Sequence, residues 1–397
     1  MIFNLLSFTS VMKSIGGVVL AIVILLVMVT IHEFGHYVAG RILGFKINEF
    51  SVGFGPAIFK RRSKKTGEIF ALRVIPLGGY CAFDGEDEEE TPQKEEEPFA
   101  EITEPNTEEN LEKCKNDEGR YALNEEKGEE SPEPKGDRFN DQPPWKRIIV
   151  LIAGATMNYL LAVALIVLMF ACIGRPMYRV AEKMEPNTES AVSAVMDEND
   201  LLIDDVILKI EGKNVYMITD YIDILDGKQA GDLVTLTVLR EGEEKQISFA
   251  LQKDTDFVNM SDTSTLLHAI GVKSMYAVTV KEGFFETIGN SFAYSVKIGG
   301  TVLRSLGELL TGKLGIDSMG GPITTIKVTS EAASSSLLSF LNIAAFIGVN
   351  LAVFNLLPVP ALDGCKVIFC IIEWIRRKPV NRKVEAMIHF IGIIFLF

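Results

Sequence analysis

Residues 17–36 read GVVLAIVILLVMVTIHEFGH, an apolar run that passes without a break into two histidines four positions apart. Eighteen uncharged residues separate Lys13 from His32, nearly enough as a helix to cross the roughly 30 Å hydrocarbon core of a bilayer. The run reads as a span rather than a cleaved signal peptide: Lys13 is the only positive charge before it, and no small-residue cleavage site follows. At 100° per residue His32 and His36 fall about 40° apart on one helical face. That is the HExxH spacing, in which two imidazoles share one zinc ion and the carboxylate between them, Glu33, is placed to take a proton from water. Ionisable groups at the end of an apolar helix are costly to place there and point to function.

Outward from this stretch the chain is segregated by charge. Its 397 residues are 48% hydrophobic and 23% charged, with a formal net charge of -14. Residues 84–141 carry 23 of the 53 acids and 7 of the 39 bases, so the rest of the chain is close to neutral. With the acidic insert set aside no basic face remains for nucleic acid, and a uniformly soluble globular protein is excluded. The five cysteines (Cys81, Cys114, Cys172, Cys365, Cys370) give neither a disulfide framework nor a zinc spacing. Cys172, Cys365 and Cys370 read as apolar fillers.

Two further uncharged runs follow, 148–174 and 332–362, the second spanning over 337–357. Lys and Arg cluster after the first run, before the second and after the third, which puts those flanks in the cytoplasm. The N-terminus and the region between the second and third spans are then extracytoplasmic. The last twelve residues, 386–397, form about 18 Å of helix and are expected to be an incomplete fourth span. The stretch GFGPAIFKRRSKKTGEIFALRVIPLGGY (53–80) has β composition with Gly-Pro and Gly-Gly punctuation. Alternating strands recur in DDVILKIEGKNV (204–215) and GDLVTLTVLREGEEKQISFALQ (231–252), with a hairpin turn at Arg240–Glu244.

The expected organisation is a first transmembrane helix (1–44), a membrane-associated β-structure on the cytoplasmic side (45–83) and an acidic disordered insert (84–144). A second helix (145–175), a β-rich domain (176–282), an amphipathic helix, lying at the membrane surface or packed as an ordinary helix, with a linker (283–335), a third helix with its flank (336–385) and the incomplete fourth (386–397) complete it. The fold class is a multi-pass α-helical membrane protein with an inserted extracytoplasmic β-rich domain and a small membrane-associated β-structure.

A zinc hydrolase needs a third protein ligand. His268 falls in the β-rich domain and His389 in the terminal stretch, so a remote carboxylate is favoured. Asp363 follows Asn355-Leu-Leu-Pro-Val-Pro-Ala-Leu362, where two prolines break a helix at membrane depth, as is tolerated around a packed or wet site. Glu373 and Glu49 compete with it, Glu373 reading better as a side chain that reaches toward the cytoplasmic face near Arg376.

HEFGH, then GFGP and IPLGGY, PPWKR before the second span and NLLPVPALDG in the third make the chain resemble the bacterial site-2 proteases over most of its length. These are intramembrane zinc metalloproteases of regulated intramembrane proteolysis. The resemblance implies Zn2+ held by His32, His36 and Asp363, Glu33 as catalytic base, and Asn355 holding the substrate backbone. It implies a single PDZ-like domain in the extracytoplasmic strands and a β-segment around Leu77, Gly78 and Gly79 that takes the substrate as an added strand. Single-span membrane proteins, such as anti-sigma factors or remnant signal peptides, are the substrate classes it implies. Ala155 stands where that family usually has proline, and Cys365-Lys366 replaces glycine and a basic or imidazole residue. The acidic insert is also longer than the family leads one to expect. The rival reading is a non-catalytic membrane scaffold that binds partners through the PDZ-like domain; a zinc transporter fits less well, because only one ligand cluster is visible.

Overall fold

The computed structural model describes residues 2–86, 132–183, 201–253, 255, 263–313, 315 and 320–396. In chain order its elements are α1 (Ile2–Leu43), β1 (Ile47–Arg62), β2 (Ile69–Phe83), a 3-10 turn (Phe139–Asp141), α2 (Pro144–Cys172), β3 (Arg175–Lys183), β4 (Val206–Ile210), β5 (Lys213–Asn214), α3 (Ile218–Leu225), β6 (Leu233–Arg240), β7 (Glu243–Ala250), α4 (Thr263–Ala269), β8 (Val272–Val280), α5 (Phe284–Leu310), α6 (Pro322–Ser335), α7 (Leu337–Asn355), α8 (Asp363–Arg376) and α9 (Arg382–Leu396).

Among the described residues three helical stretches are long and apolar enough to cross a membrane: Ile15–Leu43, Pro144–Cys172 and Leu337–Asn355. Pro144 suits the first turn of α2, where its missing N–H has no helical partner to lose. Ser336 caps α7 by accepting from the Ser339 N–H at 3.0 Å. α2 is the central pillar, packed on α1, α5, α7 and α8. Small residues set the approach of the helices. A Cβ on Gly35 would meet the Gly154 Cα of α2 at 2.9 Å, and one on Gly348 the Ala162 Cβ at 3.0 Å.

The stretch 283–335 has its amphipathic helix, α5, packed in the bundle, one of the two forms its sequence allows. It holds two helices, and α5 buries Thr287, Ser291, Tyr294, Ser295, Ile298 and Val302 against α2 and α7. Its other face leaves Phe284, Phe285, Ile288, Phe292 and Val296 exposed. α6 lies along α1, with the Ser330 carbonyl and the Ser334 hydroxyl against Gly17. Small side chains on both sides permit that contact.

The acidic insert departs from expectation at its ends. Lys46 donates from its backbone to Asp137 O (2.9 Å), Asp84 to Lys46 O (2.9 Å) and Phe139 to Asp84 O (2.7 Å). Phe139 is buried between Phe45 and Phe83. An aromatic side chain and a run of backbone partners offset the local charge, so both ends close on the base of β1 and β2. The middle of the insert, 87–131, lies outside the described residues. Cys365 and Cys370 are buried as expected, whereas Cys172, at the end of α2, is exposed.

β1 and β2 pair antiparallel, and both bend where glycine and proline fall, at Gly53–Pro56 and Pro76–Gly78. Ile47–Val52 pairs with Gly79–Phe83 on one side and meets Ile69–Leu72 on the other. The β-rich domain is one sheet in the order β7-β6-β4-β3-β8, with β5 on β4. Its tight turn between β6 and β7 is Glu241–Gly242, both at positive φ, which matches the twist of the strands. Ile207, Ile210, Tyr221, Leu225, Leu236 and Val238 pack its core with α3 and α4; each large side chain contributes about 1.5–3 kcal/mol by leaving water. The chain enters on β3 and leaves on β8, which are neighbours, so the domain is inserted between α2 and α5 with its two ends together. Buried Arg175 ties that base, donating to Glu282 (2.7 Å) and Val215 O (3.0 Å).

Candidate active site

The apolar helix α1 puts His32 and His36 on one face, 9% and 7% exposed. Their Nε2 atoms are 3.1 Å apart. Asp363, the first residue of α8, brings Oδ2 to 3.0 Å from His32 Nε2 and 3.4 Å from His36 Nε2. Tetrahedral zinc, with bonds of 2.0–2.1 Å, holds neighbouring ligand atoms roughly 3.3 Å apart, so these three atoms fit that ion. His36 Nδ1–H donates to Val150 O at 2.8 Å, which leaves its Nε2 lone pair on the ligand side.

Asp363 reaches the site because the helix before it is broken. Pro358 and Pro360 cannot continue α7, and Ala361 is left-handed at φ 75°. The Ala361 N–H donates to His389 Nδ1 of α9 at 3.0 Å. A Cβ on Gly364 would overlap the Leu356 and Leu357 carbonyls, so the loop can fold back only over glycine. A Cβ on Gly79 would lie 3.4 Å from Glu33 Cγ. The outer edge of β2 therefore runs beside Glu33. The assembly combines a metal-fitting triad, an adjacent carboxylate and a strand edge.

A family model described as peptidase family M50 matches residues 20–397. The chain belongs to that family. It is 28% identical over 425 residues to the regulator of sigma-W protease RasP of Bacillus subtilis, covering 96% of each chain. It is 28% identical to the zinc metalloprotease RasP of Bacillus licheniformis, covering 93% of each. A putative zinc metalloprotease of Fusobacterium nucleatum is 26% identical over 95% of this chain and 94% of its own. The protein is an intramembrane zinc metalloprotease.

The other groups that sequence reasoning weighed for this M50 site have different partners. Glu49 accepts from Arg73 (2.6 Å) and Tyr80 (2.7 Å); burial pushes its pKa up, but those hydrogen bonds and the Arg73 charge outweigh it and hold the carboxyl below its ordinary value. Glu373 pairs with Arg147, which is 1% exposed and needs a counter-charge. His389 holds Ala361, and His268 lies on α4 of the β-rich domain. Asn355 ends α7, partly exposed. Leu77 and Gly78 sit at the bend of β2, where Gly78 has φ 117° and packs against Phe54.

Sequence reasoning missed the part that three residues play in the M50 site. A Cβ on Gly154 would meet His36 Cε1 at 2.6 Å and His32 Cε1 at 2.8 Å, so α2 can back both imidazoles only there. Asn158, one turn on, faces His32. His389 was weighed as a ligand rather than as a brace. A Gly-x-x-x-Asn spacing in an apolar helix was the available signal for the first two. Where the chain departs from the site-2 pattern after Asp363, Cys365 is buried and Lys366 pairs with Glu86 at 2.6 Å.

Proposed function

We propose that His32, His36 and Asp363 hold the zinc ion, that Glu33 is the catalytic base, and that the substrate is a transmembrane segment of a single-span membrane protein. The observation that carries this is the convergence of His32 Nε2, His36 Nε2 and Asp363 Oδ2 beside Glu33. Zinc, when bound, supplies Lewis acidity that lowers the pKa of water toward neutrality. Glu33 takes the proton on its carboxylate as water attacks the scissile carbonyl, and later returns it to the leaving amine. No covalent intermediate is required.

A helical substrate hides its peptide bonds in its own hydrogen bonds, so it must be unwound. Pairing along the edge of β2 at Leu77, Gly78 and Gly79 exposes them as an added strand next to Glu33, and Asn355 holds the substrate backbone from the end of α7. The chain crosses the membrane several times, with its N-terminus and β-rich domain outside the cytoplasm and the acidic insert within it, following the placement of Lys and Arg. Six strands and two helices among the described residues of the β-rich domain suit a PDZ-like module that filters substrates. Anti-sigma factors and remnant signal peptides are the substrate classes implied by the resemblance to the site-2 proteases, and the name of the Bacillus subtilis relative, a regulator of sigma-W protease, accords with the first.

The scaffold reading would be favoured by a closed four-ligand site. Among the described residues the cluster has three ligands, with Glu33 alongside. The test is zinc content and cleavage of a single-span substrate in detergent, wild type beside Glu33→Gln. Zinc in both with cleavage lowered about 10²–10⁴-fold in the variant is expected; equal cleavage by both removes Glu33 from its role.

A further inference from the structure

His32 turns Nε2 toward Asp363 Oδ2 (3.0 Å) and His36 Nε2 (3.1 Å). That nitrogen is the one on the ligand side, so the neutral ring carries its proton on Nδ1. A buried N–H requires an acceptor. His36 has one in Val150 O. The group facing Nδ1 of His32 is the side-chain amide of Asn158, whose Nδ2 lies 3.4 Å away. Asn158 is 1% exposed, and its Oδ1 has no hydrogen-bond partner among the described residues. A half-turn of the amide about its Cβ–Cγ bond exchanges the two atoms and brings Oδ1 to Nδ1. One rotation then satisfies both the orphaned carbonyl and the His32 N–H. Gly154, one turn earlier on α2, makes the approach possible because it has no Cβ to strike the rings.

We infer that Asn158 is a positioning residue whose side-chain carbonyl accepts the His32 Nδ1–H and fixes the tautomer with its Nε2 lone pair toward His36 and Asp363. This rests on His32 being a zinc ligand. It gives the two histidines matched support from α2, a backbone carbonyl behind His36 and a side-chain carbonyl behind His32. Partners of this kind orient the imidazole and raise its basicity toward the metal.

The experiment measures zinc retention by the full-length chain in detergent against graded chelator, with helix content followed in parallel. Asn158→Leu keeps the volume and removes the acceptor; Asn158→Asp keeps an acceptor. Loss of such a partner weakens zinc binding about 10–100-fold. That loss is expected in Asn158→Leu at unchanged helix content, with Asn158→Asp close to wild type. A purely structural role gives the opposite order, because a buried carboxylate disturbs packing more than leucine does. Wild-type zinc affinity in Asn158→Leu, or equal loss in Asn158→Asp, overturns the inference. Should the leucine variant fail to fold, Asn158→Ala makes the same comparison. His32→Ala separates the two levels. If it retains zinc fully, the ligand reading itself fails and takes this inference with it. If it loses zinc while Asn158→Leu does not, only the role of Asn158 fails.

Discussion

In the β-rich domain Asp205 is 1% exposed and is closed on by Arg240 at 2.7 Å, while Asp220, also 1% exposed, accepts from the Tyr216 and Met217 N–H groups. At the centre of the bundle His32 and His36 are nearly as buried, yet their Nε2 atoms point at each other and at a carboxylate. The first arrangement pairs donors with acceptors and locks a fold. The second brings three potential ligand atoms to one point, the arrangement a metal ion needs. Buried polarity therefore has two physical meanings here, and the direction in which the atoms face separates them.

Substitutions that act on one region and spare the other probe that difference. The largest effect belongs to Asp363→Ala, which should weaken zinc binding by more than roughly the 100-fold upper range seen for outer partners, with the β-rich domain melting as in wild type. Metal analysis beside a thermal scan checks both halves, and zinc at full stoichiometry in that variant would break the comparison. Leu236→Ala, at a position 0% exposed in the sheet core, should reverse the pattern: about 2–5 kcal/mol lost from the β-rich domain with zinc stoichiometry unchanged, read by limited proteolysis and metal content. Zinc loss there would mean that the two regions fold as one unit.

Gly154→Ala sharpens the contrast within the bundle. Its new methyl meets both imidazoles, and overpacking costs about 1–3 kcal/mol. Weaker zinc retention at intact helix content is the expected result, and unchanged retention would show that α2 can back away. The smallest effect is at the junction of the two regions, where Arg304 of α5 pairs with Asp223 of α3 on an exposed surface. Arg304→Ala should change stability by no more than about 1 kcal/mol, detectable as faster hydrogen exchange in α3. Slowed exchange, or a loss of several kcal/mol, would mean that the junction is far more than a surface contact.

The parts of the fold that were legible beforehand share one property: their signal is local. Uncharged runs mark the three long helices, alternation and an Arg-Glu-Gly-Glu-Glu turn mark the β6–β7 hairpin, and two prolines mark the end of α7. The parts that local signal leaves open depend on a partner distant in the chain. Whether α5 packs on α2 or lies alone depends on a stripe of Thr, Ser and Tyr that is unremarkable until its neighbour is known. Glu373 has no visible partner until the fold brings Arg147, 226 positions away, to it. Phe139 draws the end of an acidic insert into an aromatic cluster that no charge count reveals.

By itself the sequence determined that the chain enters a membrane and that His32, Glu33 and His36 share one turn region of a helix, because hydropathy and helical periodicity act over adjacent residues. Only the tertiary structure decided which carboxylate joins them. Asp363 is 331 positions from His32, and what brings it there is a chain-breaking loop folded over Gly364, braced by His389 and set against a pillar helix thinned at Gly154. Such convergence depends on the close packing of four helices, which no local pattern contains.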